Sequence, residues 1–213
     1  NGTGCAVCSG KKIVISTSLL TTHPELSKQW DYEKNSPYTP EHVAYGTDKV
    51  YWWRCSKGHS FDMSCNKRTA ESRSGKCPIC TGRRLHSSNR LTRTHPELAK
   101  EWHRTKNGEL KPQDVSFGMN KKVWWQCLKD KSHIYKASIN NRARNGTGCP
   151  GCTNRKAFSD NNLAETHPKI AEQWCYERNG NTSPNDVVSG SSKKYWWKCD
   201  KDIDHIWQAR VNE

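Results

Sequence analysis

Cysteine pairs of the form Cys-x-x-Cys recur along this 213-residue chain at a fixed step of 72 residues. The pairs are Cys5 with Cys8, Cys77 with Cys80, and Cys149 with Cys152. A single cysteine repeats at the same step, with a histidine shortly after it: Cys55 with His59, Cys127 with His133, and Cys199 with His205. Thiolate sulfur and imidazole nitrogen are the ligands of structural zinc sites, at spacings of this kind. The pattern therefore predicts one zinc site per repeat.

Two repeats contain a complete set of four ligands. The sets are Cys55, His59, Cys77 and Cys80 in one, and Cys127, His133, Cys149 and Cys152 in the next. Three thiolates and one imidazole fill a tetrahedral Zn²⁺ site and leave no position for a reactive water, so each zinc is expected to be structural. Two half sites, Cys199 with His205 and Cys5 with Cys8, are expected to be closed by residues beyond the two ends of the sequence.

Disulfide bonds and iron–sulfur clusters are the alternative uses of these cysteines. The odd count of eleven, the lack of an apolar signal segment in this sequence and the pairing of each Cys-x-x-Cys with Cys plus His favour zinc over disulfides. The histidine and the spacing favour zinc over iron–sulfur clusters, and a thioredoxin-like redox pair would need a βαβ setting. Cys65 and Cys175 do not recur and are interpreted as free thiols. This cysteine usage indicates a reducing intracellular compartment: cytosol, nucleus or the interior of an organelle.

The elements that position the ligands follow from the same step. Residues 13–84 and 85–156 are predicted to be complete repeats, 157–213 a truncated third, and 1–12 the tail of an earlier one. Only 32% of the chain is hydrophobic, so a unit of this size needs a metal to supplement its small core. The expected fold class is a tandem array of small α+β zinc-stabilised repeats, each a short helix plus a β-hairpin with zinc knuckles.

A short helix is predicted after the Thr-His-Pro step that opens each repeat. Leu26 and Trp30 lie four residues apart on one helical face, and Thr22 with Glu25 fits a capping box at the start. One histidine recurs at this step, at His23, His95 and His167. We interpret it as structural, because no cysteine recurs near it at ligand spacing.

The strands of the hairpin are predicted on either side of the Cys…His turn. Aromatic and β-branched residues lead into Cys55, and residues after His59 alternate between apolar and polar. Adjacent residues of a strand point to opposite faces, so one of Trp52 and Trp53 is expected in the core. The other is expected either to pack on the helix or to face outward, where it could stack on a base.

Positive charge is unevenly distributed along the chain, whose net charge is +14. The middle repeat has fifteen Lys and Arg against five Asp and Glu, a net charge of +10, whereas residues 13–84 carry +4 and residues 157–213 carry −2. Basic residues near the Cys-x-x-Cys pairs are therefore predicted to contact nucleic-acid phosphates. They are Lys11, Lys12, Lys67, Arg68, Arg83, Arg84, Lys121, Lys122, Arg142, Arg144, Arg155 and Lys156.

Taken together, the motifs Thr-His-Pro-Glu-Leu, Trp-Trp-x-Cys, Gly-His and Cys-Pro-x-Cys resemble a known family of tandem domains. This is the "probable zinc-ribbon" family, a treble-clef type of zinc finger. The resemblance implies that the Cys and His sets named above are zinc ligands. Some members are joined to endonuclease-like domains related to very-short-patch repair enzymes, which implies association with nucleic acid. This chain departs from the Gly-His step at Ser132-His133 and Asp204-His205.

Three functions are weighed on these grounds. The favoured one is a non-catalytic zinc-binding protein that binds RNA or DNA, mainly through its middle repeat. The alternative is a structural component of a ribonucleoprotein or protein complex, since an acidic third repeat beside a basic second one suits a bridge between unlike partners. An enzyme is least favoured because no recurrent carboxylate pair, activated nucleophile or Gly-rich phosphate loop occurs. An accessory role for a nuclease outside this segment stays open, and neither a membrane nor a small-molecule substrate is expected.

Overall fold

The structure, a computed structural model, describes residues 5, 7, 13–70, 75–202 and 204–212. The chain divides into two compact units, Asn1–Arg90 and Leu91–Glu213. In the part of the chain that the structure describes, the first unit has one β-hairpin and the second has two, and each hairpin lies in its own apolar core. Among the described residues, no helix has the length and apolar character needed to span a bilayer. The small α+β modules predicted from the sequence are confirmed, whereas their boundaries stay a prediction.

In the first unit, short helices surround a two-stranded antiparallel hairpin. Its elements are α1 (Leu19–Thr22), α2 (Pro24–Ser27), α3 (Tyr32–Asn35), β1 (Val50–Arg54), β2 (Ser60–Ser64) and α4 (Cys65–Thr69). The register runs from Val50 opposite Ser64 to Arg54 opposite Ser60, so the zinc-ligand turn lies at the hairpin end.

The second unit follows this order twice, but its described residues form no counterpart of α3 in the middle repeat and none of α4 in the last. The elements that follow the first unit are α5 (Leu91–Thr94), α6 (Pro96–Lys100), β3 (Lys122–Gln126), β4 (Ile134–Ser138) and α7 (Ile139–Ala143). The elements of the last repeat are α8 (Leu163–Thr166), α9 (Pro168–Ala171), α10 (Tyr176–Asn179), β5 (Lys194–Lys198) and β6 (Ile206–Arg210). Each hairpin is again antiparallel, β3 with β4 and β5 with β6.

The helix predicted after the Thr-His-Pro step is a single turn, α2, which ends at Ser27 before Trp30, and another single turn, α1, precedes the histidine. His23 has φ −140° and ψ 63°, which ends α1, and Pro24 then starts α2 in a first-turn position where its missing N–H is not needed. The Thr22 hydroxyl donates to the Ser18 carbonyl at 2.7 Å instead of capping α2, so the capping box expected with Glu25 does not form. His95 and His167 have nearly the same dihedral angles, so this histidine is a backbone break in every repeat.

The second tryptophan of each Trp-Trp pair is the core residue. Trp53 is fully buried, packs edge-on against Trp30 with ring centroids 5.3 Å apart, and donates its indole N–H to the Met63 carbonyl. The corresponding edge-on pairs in the other repeats are Trp125 with Trp102 and Trp197 with Trp174. The first tryptophan therefore faces outward, and Trp52 is 36% exposed.

An asparagine side chain fixes the outward tryptophan's backbone in each repeat. The Trp52 N–H donates to Asn35 Oδ1 and the Asn35 amide donates to the Trp52 carbonyl, both at 2.8 Å. Asn107 and Asn179 make the same two bonds in the following repeats. The amide thus takes the place of a neighbouring strand, so the hairpin edge has satisfied hydrogen bonds.

The two cysteines outside the repeat pattern are buried and unbonded to other cysteines. β2 ends at Ser64 and Cys65 begins α4, where Ile139 stands in the next repeat. Burial raises the pKa of the Cys65 thiol to about 12, so the side chain acts as an apolar core group. Cys175 is buried just before α10. Both are free thiols, in agreement with the sequence interpretation.

Candidate metal centres

The first complete ligand set converges at the end of the first hairpin. Cys55 follows β1, His59 precedes β2, and Cys77 and Cys80 come from a turn beyond α4. The His59 Nδ1 lies 3.5 Å from the Cys55 sulfur and 3.2 Å from the Cys80 sulfur, and these two sulfurs are 3.7 Å apart. All four ligand atoms lie within 4.8 Å of one another.

The second set converges in the same way at the end of the second hairpin. The His133 Nδ1 lies 3.4 Å from the Cys149 sulfur and 3.6 Å from the Cys152 sulfur, and the Cys127 and Cys152 sulfurs are 3.6 Å apart. The four ligand atoms again lie within 4.8 Å of one another. Both predicted clusters are therefore assembled by the fold.

These separations fit a tetrahedral zinc ion. With Zn–S near 2.3 Å and Zn–N near 2.0–2.1 Å, a tetrahedron places two sulfurs about 3.8 Å apart and a sulfur and a nitrogen about 3.6 Å apart. The observed values, 3.2 to 3.7 Å, lie at or slightly below those separations. A disulfide would need sulfurs at roughly 2.05 Å, so the clusters fit metal ligation and not cross-linking. Burial and the neighbouring thiols raise the pKa of Cys80 and of Cys152 to about 12 without a metal, so binding one must release protons.

The two clusters use different turns to bring the histidine back to the cysteine. In the first, Gly58 has a φ of +78°, which suits glycine, just before His59. In the second, Asp130 accepts hydrogen bonds at 2.8 Å from the Ser132 N–H and at 2.6 Å from the Ser132 hydroxyl. An aspartate turn therefore replaces the Gly-His step at Ser132-His133.

The outer nitrogen of each ligand histidine also has a different partner in the two clusters. His59 Nε2 lies 3.0 Å from the Ser88 hydroxyl, whereas His133 Nε2 lies 2.7 Å from the Asp160 carboxylate. When Nδ1 ligates a metal, neutral imidazole carries its proton on Nε2 and donates it to these groups. Burial lowers the pKa of His59; burial also acts to lower that of His133, but the Asp160 carboxylate raises it overall.

The packing around the two histidines differs as well. A Cβ on Gly151 would lie 2.6 Å from the His133 ring, and the rings of Phe158 and His133 pack together with centroids 4.5 Å apart. The corresponding position to Gly151 in the first repeat is Ile79, which is buried. His133 is accordingly only 2% exposed.

The half sites do not assemble into a cluster among the described residues. Cys199 donates its backbone N–H to the His205 carbonyl at 3.0 Å, as in the complete repeats, but the His205 ring is exposed and faces Asp202 at 3.4 Å. The side chain of Cys5 is exposed, and Cys8 lies outside the described residues.

Two of the predicted phosphate-binding arginines are buried and are not available to a phosphate. Arg68 donates to the Gly75 carbonyl at 2.6 Å and lies over the Trp53 ring at 5.5 Å. Arg142 donates to the Thr147 carbonyl at 2.6 Å and forms an ion pair with Glu101. Each guanidinium joins the core to the loop before the Cys-x-x-Cys pair of its own repeat. The phosphate contact predicted for both residues is therefore replaced by a structural role.

The remaining predicted residues divide by exposure. Lys11 and Lys12 lie outside the described residues. The exposed ones are Lys67, Arg83, Arg84, Lys121, Lys122, Arg144, Arg155 and Lys156. The structure adds Lys136, which the sequence analysis missed and which the hairpin register places opposite Trp124. Lys122, Lys136 and Arg155 line one concave groove of about 330 Å³ on the second hairpin.

The same surface is neutralised in the first repeat. Asp62 stands opposite Trp52 and forms an ion pair with Arg84 at 2.6 Å. Hydrogen bonding to Arg84 lowers the pKa of Asp62, which keeps the pair ionised. Within the described part of the chain, no ion pair joins Lys122 or Lys136 to a carboxylate. The groove on the second hairpin thus presents uncompensated positive charge.

Comparison with known families agrees with this geometry. Three consecutive segments, residues 26–83, 98–155 and 170–213, match the model of the probable treble clef zinc finger domain. No curated protein matches the chain. The matched segments cover most of the chain and contain both ligand clusters, which confirms the resemblance inferred from the sequence motifs. The chain therefore belongs to the probable treble clef zinc finger family, as a tandem array of its domains.

Proposed function

We propose that this chain is a non-catalytic zinc-binding repeat protein that binds nucleic acid, with the middle repeat as its main contact. One structural Zn²⁺ in each complete repeat holds the hairpin end to the Cys-x-x-Cys turn. Because each repeat has a small core, most of its stability comes from the metal. The zinc is a scaffold for the surface and takes no part in a reaction.

The observation that carries the proposal is the exchange of charge beside the outward tryptophan. In the first repeat this tryptophan faces Asp62, which neutralises Arg84, whereas in the second it faces Lys136. Lys136 shares a groove with Lys122 and Arg155, and the three supply positive charge on a rigid hairpin. Clustered cations of this kind bind phosphates and release counterions from the nucleic acid.

The matched residues of the first repeat are the internal comparison. Its counterpart of Lys122 is Val50, and its counterpart of Arg155 is Arg83, which donates to the Lys76 carbonyl at 2.6 Å. The next residue, Arg84, is paired with Asp62. The net charge of each repeat, +4 for the first and +10 for the second, points the same way. The support is therefore both local and global, and it favours the second hairpin.

The test is the salt dependence of binding for a triple variant, Lys122→Gln with Lys136→Gln and Arg155→Gln. Affinity of the zinc-loaded chain for RNA and DNA oligomers is measured by fluorescence anisotropy at several salt concentrations. Each lost phosphate contact reduces the magnitude of the slope of log affinity against log salt by about 0.7–0.9. The slope of the triple variant should therefore be shallower by roughly 2 to 3 units. Arg84→Gln is the matched control and should change the slope far less.

An unchanged slope in the triple variant would contradict the assignment of the interface to the second hairpin. A zinc-loaded chain that binds no nucleic acid at any salt concentration would contradict the function itself. Capture of a protein partner by such a chain would then favour the alternative role in a larger assembly.

A further inference from the structure

We propose that the first repeat selects single-stranded over duplex nucleic acid by stacking an unpaired base in an aromatic cleft between Trp52 and Tyr38. This inference rests on the proposed function and names its substrate class. The cleft lies on the first hairpin and is separate from the basic groove of the second. It therefore adds a contact to the base, where the groove supplies contacts to phosphates.

The cleft has the size and the chemistry for a nucleotide. It measures about 450 Å³ and is lined by Trp52, Tyr38, Lys34 and Lys49 among others. This volume is within the roughly 300–1,000 Å³ of small-ligand sites. Trp52 is 36% exposed and Tyr38 is 50% exposed, so both residues are accessible to a ligand. The described residues that line the cleft include no carboxylate, and its two lysines suit the phosphate of the same nucleotide.

The two walls of the cleft are held in place before any ligand arrives. The Asn35 side chain makes two hydrogen bonds to the Trp52 backbone, and the Tyr38 N–H donates to the Asn35 carbonyl at 2.8 Å. The indole N–H of the buried Trp30 donates to the Tyr38 carbonyl at 3.2 Å. Lys34 lies over the Trp52 ring with its ammonium 4.0 Å from the ring centroid and donates to the Ser60 hydroxyl at 2.9 Å, so a base that stacks on this face displaces Lys34. A rigid aromatic wall loses little entropy on binding.

The other repeats keep part of this arrangement. A cation lies over the outward tryptophan in each, Lys106 over Trp124 at 5.0 Å and Arg178 over Trp196 at 4.8 Å. Lys121 and Lys193 stand at the position of Lys49. Tyr38, however, is replaced by Leu110 and Thr182, so the second aromatic wall is found only in the first repeat.

An aromatic cleft favours unpaired bases because a base in a duplex has both faces covered by its neighbours. Stacking on tryptophan or tyrosine needs a base that is free of the stack, as in single strands and loops. Across the described residues, no helix is longer than five residues, which leaves no recognition helix of the kind that reads a duplex groove. The geometry thus points to single strands.

The experiment compares the zinc-loaded full chain with Trp52→Ala and Tyr38→Leu. The second variant introduces the residue of the second repeat at a half-exposed site, so it tests the cleft even where Trp52→Ala impairs folding. The probes are a uridine oligomer, a thymidine oligomer and a DNA duplex of equal length, each at two salt concentrations. The RNA and DNA oligomers distinguish the two sources of single strands, and bound zinc per chain checks the integrity of each variant.

We expect each variant to lose affinity for a single strand on the order of ten-fold, which is the loss of one base–aromatic stack. The salt slope and the affinity for the duplex should not change, because neither ring carries charge. The second repeat has Leu110 in place of Tyr38, so Trp124→Ala should lose less affinity for a single strand. Equal losses for duplex and single strand, or no loss in either variant, would overturn this inference while leaving the basic groove intact. A chain that binds none of the probes would overturn the proposed function instead.

Discussion

The two complete ligand clusters have the same residue types but different surroundings. In the first, His59 faces the Ser88 hydroxyl, whereas in the second, His133 faces the Asp160 carboxylate. These partners are 72 residues apart, so they occupy the same position of the repeat. The ligands are fixed by the chemistry of the metal, whereas the group behind the histidine can vary as long as it accepts a hydrogen bond.

Steric differences between the clusters compensate one another. The second cluster has two more residues in the Cys…His turn, and its histidine lies directly on Gly151. Phe158 also packs against this ring, at the repeat position where His86 packs against His59 in the first repeat. The longer turn, the smaller Gly151 and the larger Phe158 thus occur together around the same ligand histidine. Residues at such positions should not be exchangeable one at a time between the repeats.

The largest expected effect is the loss of the fold on removal of zinc. Structural zinc contributes about 10–16 kcal/mol of apparent binding free energy in zinc-finger peptides, more than a small core can replace. Stepwise chelation should unfold both hairpins, and the first should lose its amide protection before the second because its histidine has no carboxylate partner. Hydrogen exchange during a chelator titration measures the order. Native exchange rates in excess chelator would contradict the structural role of the metal.

A smaller effect is expected from exchange of the residue between the paired cysteines. Gly151→Ile should destabilise the second repeat by about 1–3 kcal/mol, since its Cβ would overlap the His133 ring. Thermal unfolding of the zinc-loaded variant measures this change. The reciprocal control, Ile79→Gly in the first repeat, creates a cavity but no overlap. A fully stable Gly151→Ile protein would show that the two histidines are held in the same way.

The most specific test of the comparison exchanges the two groups behind the histidines. Asp160→Ser should lower the zinc affinity of the second cluster by roughly ten-fold or somewhat more, which is the usual contribution of such an outer partner. Ser88→Asp should raise the affinity of the first. Competition with a calibrated zinc chelator gives both values. Equal affinities in the native chain, unaffected by either substitution, would remove the basis for ranking the two sites.

Much of the site could be predicted from the sequence because the same ligand pattern recurs in successive repeats. Ligand identity follows from residue type and spacing, and the hairpins follow from the alternation around each Cys…His turn. The early end of α2 at Ser27 could not be predicted, since the spacing of Leu26 and Trp30 is the same whether or not the helix continues to Trp30. The local sequence also places Arg68 and Arg142 among surface cations. Their burial depends on carbonyl groups of a loop several residues further on, which only the folded chain brings within reach.

The pairing of charges across the hairpin was the other feature hidden from the sequence. Asp62 and Lys136 differ by 74 positions because of the longer turn, so a strict 72-residue comparison does not align them. Only the strand register shows that both stand opposite the outward tryptophan. The net charge of a repeat is therefore a weaker guide to its surface than the partners of each charge.

The role of the second hairpin is tested most directly by an exchange of these two residues between the repeats, Lys136→Asp in one variant and Asp62→Lys in another. The measurement is the salt slope of binding to single-stranded oligomers by the zinc-loaded chain. We expect Lys136→Asp to weaken binding and to reduce the magnitude of the slope by about 1 unit or more. Asp62→Lys frees Arg84 and should make the slope steeper. Slopes that remain equal in the native chain and both variants would contradict the claim that the second hairpin is the nucleic-acid-binding surface.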